Sequence, residues 1–340
     1  MWILLIIFKT EIRFVGLVID WIAPRQFMLH GWGIGVVIPA RNESNHIGRV
    51  LSTIPLFVDH VVVIDDGSTD GTGEIVSSTK CSAEVTIIRL EGLGVGNAID
   101  TGHRKMVAIF TDSKFVSAVM AGDGQMDPDD LEGLVENIIS EKCEHVKGDR
   151  SSHADGLRKM PLVRRLATIL LSFFTTLAAG QTISDPQCGY TATSGKVLRN
   201  WDWEKSWKGY GYPNYWLIQL AKHGWKIKHH PVKAIYEDQT SQINNISFFF
   251  KVGLMMAIEH HARNLSWLFS LKVPPHTIFA FISYSIGWMA LIPWISTDLE
   301  RALVERGTPI VIIVIFAWLF AHLFDRMAVV VKQKLRIDIE

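Results

Sequence analysis

Crosslinking and metal-clustering residues are scarce in this chain. Its 340 residues include only three cysteines, Cys81, Cys143 and Cys188, an odd number without metal-ligand spacing. That excludes a disulfide scaffold or a zinc module and fits reduced thiols. An excess of one charge is also missing, since 34 Lys and Arg offset 34 Asp and Glu. A general nucleic-acid binder would carry a basic excess, so no nucleic-acid partner is expected. Low-complexity linkers and internal repeats are absent, and 48% hydrophobic against 20% charged residues excludes disorder as the dominant state. A mean hydropathy of +0.20 beside a normal complement of charges points to a soluble part joined to a membrane part.

The apolar residues gather at the C-terminal end. Thr277–Thr297 is a run of 21 residues without a formal charge. At about 1.5 Å per residue it reaches roughly 30 Å, one bilayer core. Thr308–Phe324 is a second uncharged run, and Trp288, Trp294 and Trp318 suit a membrane interface. Two transmembrane helices are therefore expected over 274–331, with a cytoplasmic tail at 332–340. Lys251, Arg263 and Lys272 on one side and Arg326, Lys332, Lys334 and Arg336 on the other place both ends of the hairpin in the cytoplasm. The expectation is a multi-pass protein of the cell membrane with its polar domain on the cytoplasmic face. Residues 1–30 open with a short apolar run but carry Lys9, Glu11, Arg13 and Asp20, which reads as an amphipathic segment on the membrane surface.

Between these ends, strand and helix signals alternate. GVVIP, HVVVI, EVTIIRL and FVSAVM read as strands, and DPDDLEGLVENIIS as a helix capped by Asp127 with Pro128 at its first position. Such alternation predicts an α/β domain with a mostly parallel sheet, whose ligands bind beyond the carboxyl ends of the strands. Polar clusters stand there: Ala40–Ser44 after the first strand, Asp65–Thr72 after the second, and Ala121–Pro128 after FVSAVM. One such cluster alone could be a turn, since Asp-Gly pairs are ordinary turn chemistry. Three in register predict one crevice lined by carboxylates. Carboxylates repel a phosphate ligand unless a divalent cation mediates, and Mg²⁺ or Mn²⁺ takes its oxygens from one or two carboxylates plus substrate phosphates. Asp123 and Gln125, two apart across a glycine, are the candidate metal ligands. No GxxxxGK[ST] is present, and GLGVGNA lacks dinucleotide-fingerprint spacing.

VVIPARNES, VVVIDDGSTDGT, VMAGDGQMDP and SDPQCGYTATSG, in this order, resemble the family 2 glycosyltransferases of GT-A fold. With the C-terminal hairpin, the resemblance narrows to the dolichyl- or polyprenyl-phosphate mannose or glucose synthases. It implies a glycosyltransferase domain over 31–245, a juxtamembrane amphipathic segment over 246–273, and particular roles. Pro39, Ala40, Glu43, Asp65 and Asp66 would line the nucleoside pocket. Asp123 and Gln125 would hold the metal and, through it, the donor diphosphate. Asp185, Gln187 and Gly189 would border the sugar, and Arg150 would face the acceptor phosphate, which makes Asp123, Asp185 and Arg150 the catalytic candidates. Two positions depart from the pattern: Ala121 stands where the family often has Asp, and Val95 where its glycine loop often has Lys.

The acceptor side is legible without the resemblance. A lipid phosphate needs cations beside an apolar surface, and segment 157–180 carries Arg158, Lys159, Arg164 and Arg165 before an apolar run. Arg164 and Thr168 are i,i+4 neighbours able to share one phosphate on an interfacial helix. His260-His261 reads as a solvated pair, and Trp201, Trp203 and Trp207 as either an aromatic wall or core. Asn214 stands near a place where the family often has an acidic residue. The expected reaction is inverting transfer of a hexose, mannose favoured, from GDP-mannose or UDP-glucose to dolichyl or polyprenyl phosphate. Glucosyl transfer and a catalytically silent nucleotide-binding scaffold are the alternatives. The absence of Q-x-x-R-W counts against processive synthesis.

Overall fold

The alternating pattern folds as read, into a seven-stranded sheet. The computed structural model describes residues 29–153, 162–208, 211–233, 235, 245–270, 273–305 and 309–337. The N-terminal segment 1–30 therefore lies, up to residue 28, outside the described residues. The strands are β1 (Gly33–Ala40), β2 (His60–Asp66), β3 (Glu84–Leu90), β4 (Phe115–Val119), β5 (His145–Asp149), β6 (Thr191–Ser194) and β7 (Ile227–Pro231). Their order is β3-β2-β1-β4-β6-β5-β7. The first four neighbours are parallel, β6 runs antiparallel to β4 and β5, and β7 is parallel to β5.

β1, β2 and β4 are covered on both faces. Val37, Val62 and Ile64 join one apolar cluster, while Ile34, Val36, Ile38, Val61 and Val63 join the other. This is the period-two alternation of a strand buried on both sides. Crossover helices supply the covers: α1 (Ile47–Ser52), α2 (Thr72–Ser78), α3 (Val95–Ile109) and α4 (Leu131–Ile139). The expected helix start at Asp127 is a short 3₁₀ turn, Pro128–Asp130, in which Asp127 accepts the Asp129 N–H at 3.2 Å before α4 begins. Because β2 and β4 flank β1 on opposite sides, the chain's winding reverses there. The crevice beyond the β1 and β4 ends is the switch point of the sheet.

The remaining helices are α5 (Leu162–Ala179), α6 (Gly195–Arg199), α7 (Tyr212–Lys222), α8 (Asn245–Leu268), α9 (Pro275–Met289), α10 (Pro293–Val304) and α11 (Ile310–Ile337). Trp201 stacks on Trp216 of α7 with ring centroids 3.8 Å apart, so Trp201 belongs to the core. The segment expected as an interfacial helix is helical from Leu162 to Ala179, as α5, and residues 154–161 before it lie outside the described residues. Leu166, Ile169, Leu170, Phe173 and Phe174 on α5 are exposed, while Thr168, Leu171, Thr175 and Ala178 are buried.

The C-terminal hairpin differs from expectation. The run Thr277–Thr297 is not one helix: α9 stops at Met289, and Pro293, which has no N–H to continue the ladder, sits in the first turn of α10. At about 1.5 Å per residue α9 reaches roughly 22 Å, short of a bilayer core. α11 instead runs past the end of its uncharged stretch to Ile337, through the residues expected as a tail. Among the described residues only Ile310–Arg336 is long and apolar enough to cross a membrane by length and composition. α9 and α11 do pack as an antiparallel pair, with Trp288 on Trp318, Tyr284 on His322 and Phe279 on Phe324. His260 is buried rather than solvated, its Nε2 2.7 Å from the Tyr284 hydroxyl. Arg263 of α8, fully buried, donates to Asp325 of α11 at 2.7 Å and to the Ala178 carbonyl at 3.1 Å.

Close approach of α3 to β1 depends on Gly102, where a Cβ would lie 2.2 Å from Val37 Cγ1. In Gly102→Ala, the helix-propensity gain of about 1 kcal/mol opposes an overpacking cost of about 1–3 kcal/mol. Net destabilisation is expected, read as a lower urea midpoint. A higher midpoint would show that Val37 moves aside without cost.

Candidate active site

The loops after β1 and β2 are bound together by side chains from both. The Asn42, Glu43 and Ser44 amides donate to Ser68 Oγ, Thr72 Oγ1 and Asp70 Oδ2 at 2.9, 2.9 and 3.0 Å. Asn42, at φ 57°, returns its side-chain oxygen to the Thr69 N–H at 3.0 Å. Pro39 and Ala40 end β1 beside this lattice.

Asp65 and Asp66 were expected to line a nucleoside pocket, but both turn their carboxylates into the chain. Asp65 accepts the Ser68 N–H at 2.8 Å and lies 3.5 Å from Arg89. Asp66 accepts the Leu93 and Gly94 amides at 2.7 Å each, holding the loop that opens α3. The reason is their burial: a buried carboxylate needs hydrogen-bond donors, and these turn amides are within reach. Val95, where the resemblance would have Lys, is exposed at the start of α3.

The third loop leaves β4. Asp123 Oδ1 accepts the Gln125 N–H at 3.0 Å across Gly124, which sits at φ 74°. Here four sequence-predicted residues from distant segments meet. A cavity of about 220 Å³ is lined by Asp123, Gln125, Arg150 and Gln187, together with Cys188 and Lys233. Glu43 is half-buried nearby, and burial first, then the Asp123 carboxylate, pushes its carboxyl above the ordinary value.

Asp185 does not stand on the cavity wall as a free carboxylate. It is fully buried, and its two oxygens take the Arg150 Nε and Nη2 protons at 2.7 and 3.0 Å. Asp185 thus supports Arg150, and the bidentate geometry fixes the guanidinium plane. Thr168 is buried on the inward face of α5, and the side chain of Arg164 lies outside the described residues.

Asp123 and Gln125 offer hard oxygen donors, with the Glu43 carboxylate as a neighbouring negative charge. Among the described residues no three His, Cys, Asp or Glu side chains gather into a metal cage. That donor set fits Mg²⁺ or Mn²⁺ completed by water and substrate phosphates, because such ions are held by one or two carboxylates rather than a closed protein shell.

Lys147, on β5 and within the electrostatic reach of Asp185 and Arg150, was missed by sequence reasoning. The only signal was a charge inside the strand HVKGD. Burial brings its ammonium pKa down to about 8. Two predictions follow from these buried ions. Removing one partner of a buried pair strands the other, so Asp185→Ala should lose about 3–5 kcal/mol of unfolding free energy. The apolar pair Arg150→Met/Asp185→Leu should recover most of it, and an equally damaged double variant would show that packing, not charge, is at stake. A lowered lysine pKa destabilises the fold while the unfolded chain still holds the proton. This penalty, roughly 3 kcal/mol at pH 7, shrinks as pH rises from about 8 toward 10.5. Lys147→Met should therefore exceed wild type in urea midpoint at pH 7, with the gap closing by pH 10. A gap independent of pH would overturn this assignment.

The model of the family described as Glycosyl transferase family 2 matches residues 35–201. An uncharacterized protein of Methanocaldococcus jannaschii is 32% identical over 64% of this chain and 88% of its own length. The UDP-N-acetylglucosamine–dolichyl-phosphate N-acetylglucosaminyltransferase of Methanococcus voltae is 28% identical over 64% of this chain and 92% of its own. The undecaprenyl-phosphate mannosyltransferase of Micrococcus luteus is 26% identical over 58% and 82%. In fold, the chain is similar to glucosyl-3-phosphoglycerate synthase from Mycobacterium tuberculosis in complex with uridine diphosphate. That likeness has a TM-score of 0.50 at 21% identity and covers 70% of this chain and 82% of the other.

Proposed function

This chain belongs to glycosyl transferase family 2, and from that premise we propose that it moves one hexose from a nucleotide-diphosphate sugar to a polyprenyl or dolichyl phosphate at the cytoplasmic face of a membrane. The observation that carries the acceptor reading is a second cavity, of about 560 Å³, walled by α5, α8, α9 and α11. Leu170, Phe174, Phe249, Met256 and Trp288 are among its lining. An apolar cavity beside exposed apolar helix faces suits an isoprenoid chain, and the two relatives named above carry dolichyl and undecaprenyl phosphate in their names.

In this reading the loops after β1 and β2 hold the nucleoside, with Pro39, Ala40 and Glu43 at the pocket and Asp65 and Asp66 keeping its walls in place. Asp123 and Gln125 hold the divalent cation, which, when bound, neutralises the departing diphosphate. Arg150, oriented by Asp185, receives the acceptor phosphate, and Arg164 adds charge from the start of α5. The attacking phosphate oxygen is anionic near pH 7, so a strong general base is unnecessary, and attack opposite the leaving group inverts the anomeric centre. The work of the protein is to orient two phosphates about one sugar. Interfacial α5 and the α9–α11 pair keep the chain on the bilayer, with α11 as the spanning helix.

The test is transfer from labelled GDP-mannose, UDP-glucose and UDP-N-acetylglucosamine into extractable lipid by membranes holding the full chain and polyprenyl phosphate. One donor should label the lipid, and Asp123→Asn should reduce labelling about a hundredfold or more, as should excess EDTA. No labelling with any donor sinks the acceptor reading. Full activity in Asp123→Asn sinks the role given to Asp123.

A further inference from the structure

A row of hydrogen bonds runs from α5 to the wall of the carboxylate-lined cavity, and its polarity is fixed at one end. The Thr175 hydroxyl lies 2.6 Å from the Leu171 carbonyl oxygen. Two oxygens that close need a proton between them, and a carbonyl has none, so the hydroxyl donates. Having given its one proton to Leu171, Thr175 Oγ1 can only accept from Asn214, 2.7 Å away. Asn214 must therefore turn its amide nitrogen toward Thr175. The Met256 sulfur, 3.9 Å from the same nitrogen, is also an acceptor and agrees with that orientation. The Asn214 oxygen is then left facing Gln187, whose nitrogen donates to it at 2.7 Å. Asn214 is fully buried and Thr175 likewise, so water does not compete for these bonds.

The outcome lies at the far end. With its nitrogen turned to Asn214, the Gln187 amide is held in one orientation: one N–H is taken, the second N–H and the carbonyl oxygen remain for the cavity that Gln187 lines, and the oxygen stands on the side of the amide away from Asn214. We propose that Thr175 and Asn214 are positioning residues that hold the Gln187 amide in this orientation, and that Gln187 Oε1 takes a hydrogen bond from a hydroxyl of the transferred sugar. A freely rotating amide would present donor or acceptor equally and would not select a hydroxyl by its proton. This inference rests on the donor-sugar reading above and on no property of the acceptor. It also gives Asn214 a neutral, structural use of its amide: a carboxylate there could accept from Gln187 but not donate to Thr175.

The experiment uses the full chain in detergent micelles and calorimetry without acceptor. The affinity of the productive nucleotide sugar is compared with that of its nucleoside diphosphate alone, which isolates the sugar's contribution. Thr175→Val and Asn214→Leu should weaken the sugar nucleotide roughly three- to tenfold, the effect of one hydrogen bond, and leave the diphosphate within about twofold. Thr175→Ser, which keeps the hydroxyl, should match wild type. Among monodeoxy forms of the sugar nucleotide, one should bind wild type and Thr175→Val equally, because its missing hydroxyl is the one Gln187 reads. Equal sugar contributions in wild type and Thr175→Val overturn the inference, as does a loss spread evenly over every deoxy form, which would mark a merely structural role. Sugar-nucleotide binding that behaves as expected without any lipid labelling overturns the acceptor reading alone. Absence of binding by all three nucleotide sugars overturns both.

Discussion

A strand buried on both faces has nowhere to set a carboxylate except at or beyond its end. β1, β2 and β4 are such strands, and their side chains feed two separate apolar clusters. The parallel pairing of β1 with β2 on one side and β4 on the other brings three polar strand ends to one edge of the sheet. Asp65 and Asp66 at the end of β2, and the loops carrying Glu43, Asp123 and Gln125, are consequences of that burial. A shift of β1 by one residue would carry Val37 to the opposite cluster and move the first loop out of line with the third.

Concentrating acids at one edge has an electrostatic cost, and the chain meets it in two ways. Asp65 and Asp66 spend their charge on backbone amides, turning repulsion into fixed loop geometry. Asp185 takes Arg150 bidentately, so the site keeps an oriented guanidinium without a bare buried carboxylate. Glu43 sits above its ordinary pKa through burial first and the Asp123 carboxylate second, and a cation suits this corner. In the proposed reaction the same arrangement receives the diphosphate.

The helical part is organised by polar contacts inside an apolar setting. Arg263, Asp325 and the Ala178 carbonyl join α8, α11 and the end of α5 in one buried cluster. Apolar helix surfaces alone pack in many rotations, whereas a buried ion pair admits few. That cluster fixes how α5 and α8 wall the larger cavity, and α5 in turn anchors the hydrogen bonds that reach Gln187.

The sequence by itself determined the strand–helix alternation, the sheet class and the positions of the three acidic loops. Period-two burial and turn residues are local properties, legible one segment at a time. It also carried the four motifs that identify the family; Asp123, Gln125 and Arg150 each stand after a strand, whereas Gln187, ahead of β6, was placed with them by the resemblance. The direction of each buried side chain was decided only in the tertiary structure. Asp66 turns to Leu93 and Gly94, Asp185 to Arg150, and His260 to Tyr284, because each partner comes from a segment far away in the chain. The break between α9 and α10 was hidden as well, since hydropathy continues smoothly through Pro293 while the helix does not. Composition records which groups a segment holds. Which of them are neutralised, and by whom, depends on the donors that folding brings within about 3 Å.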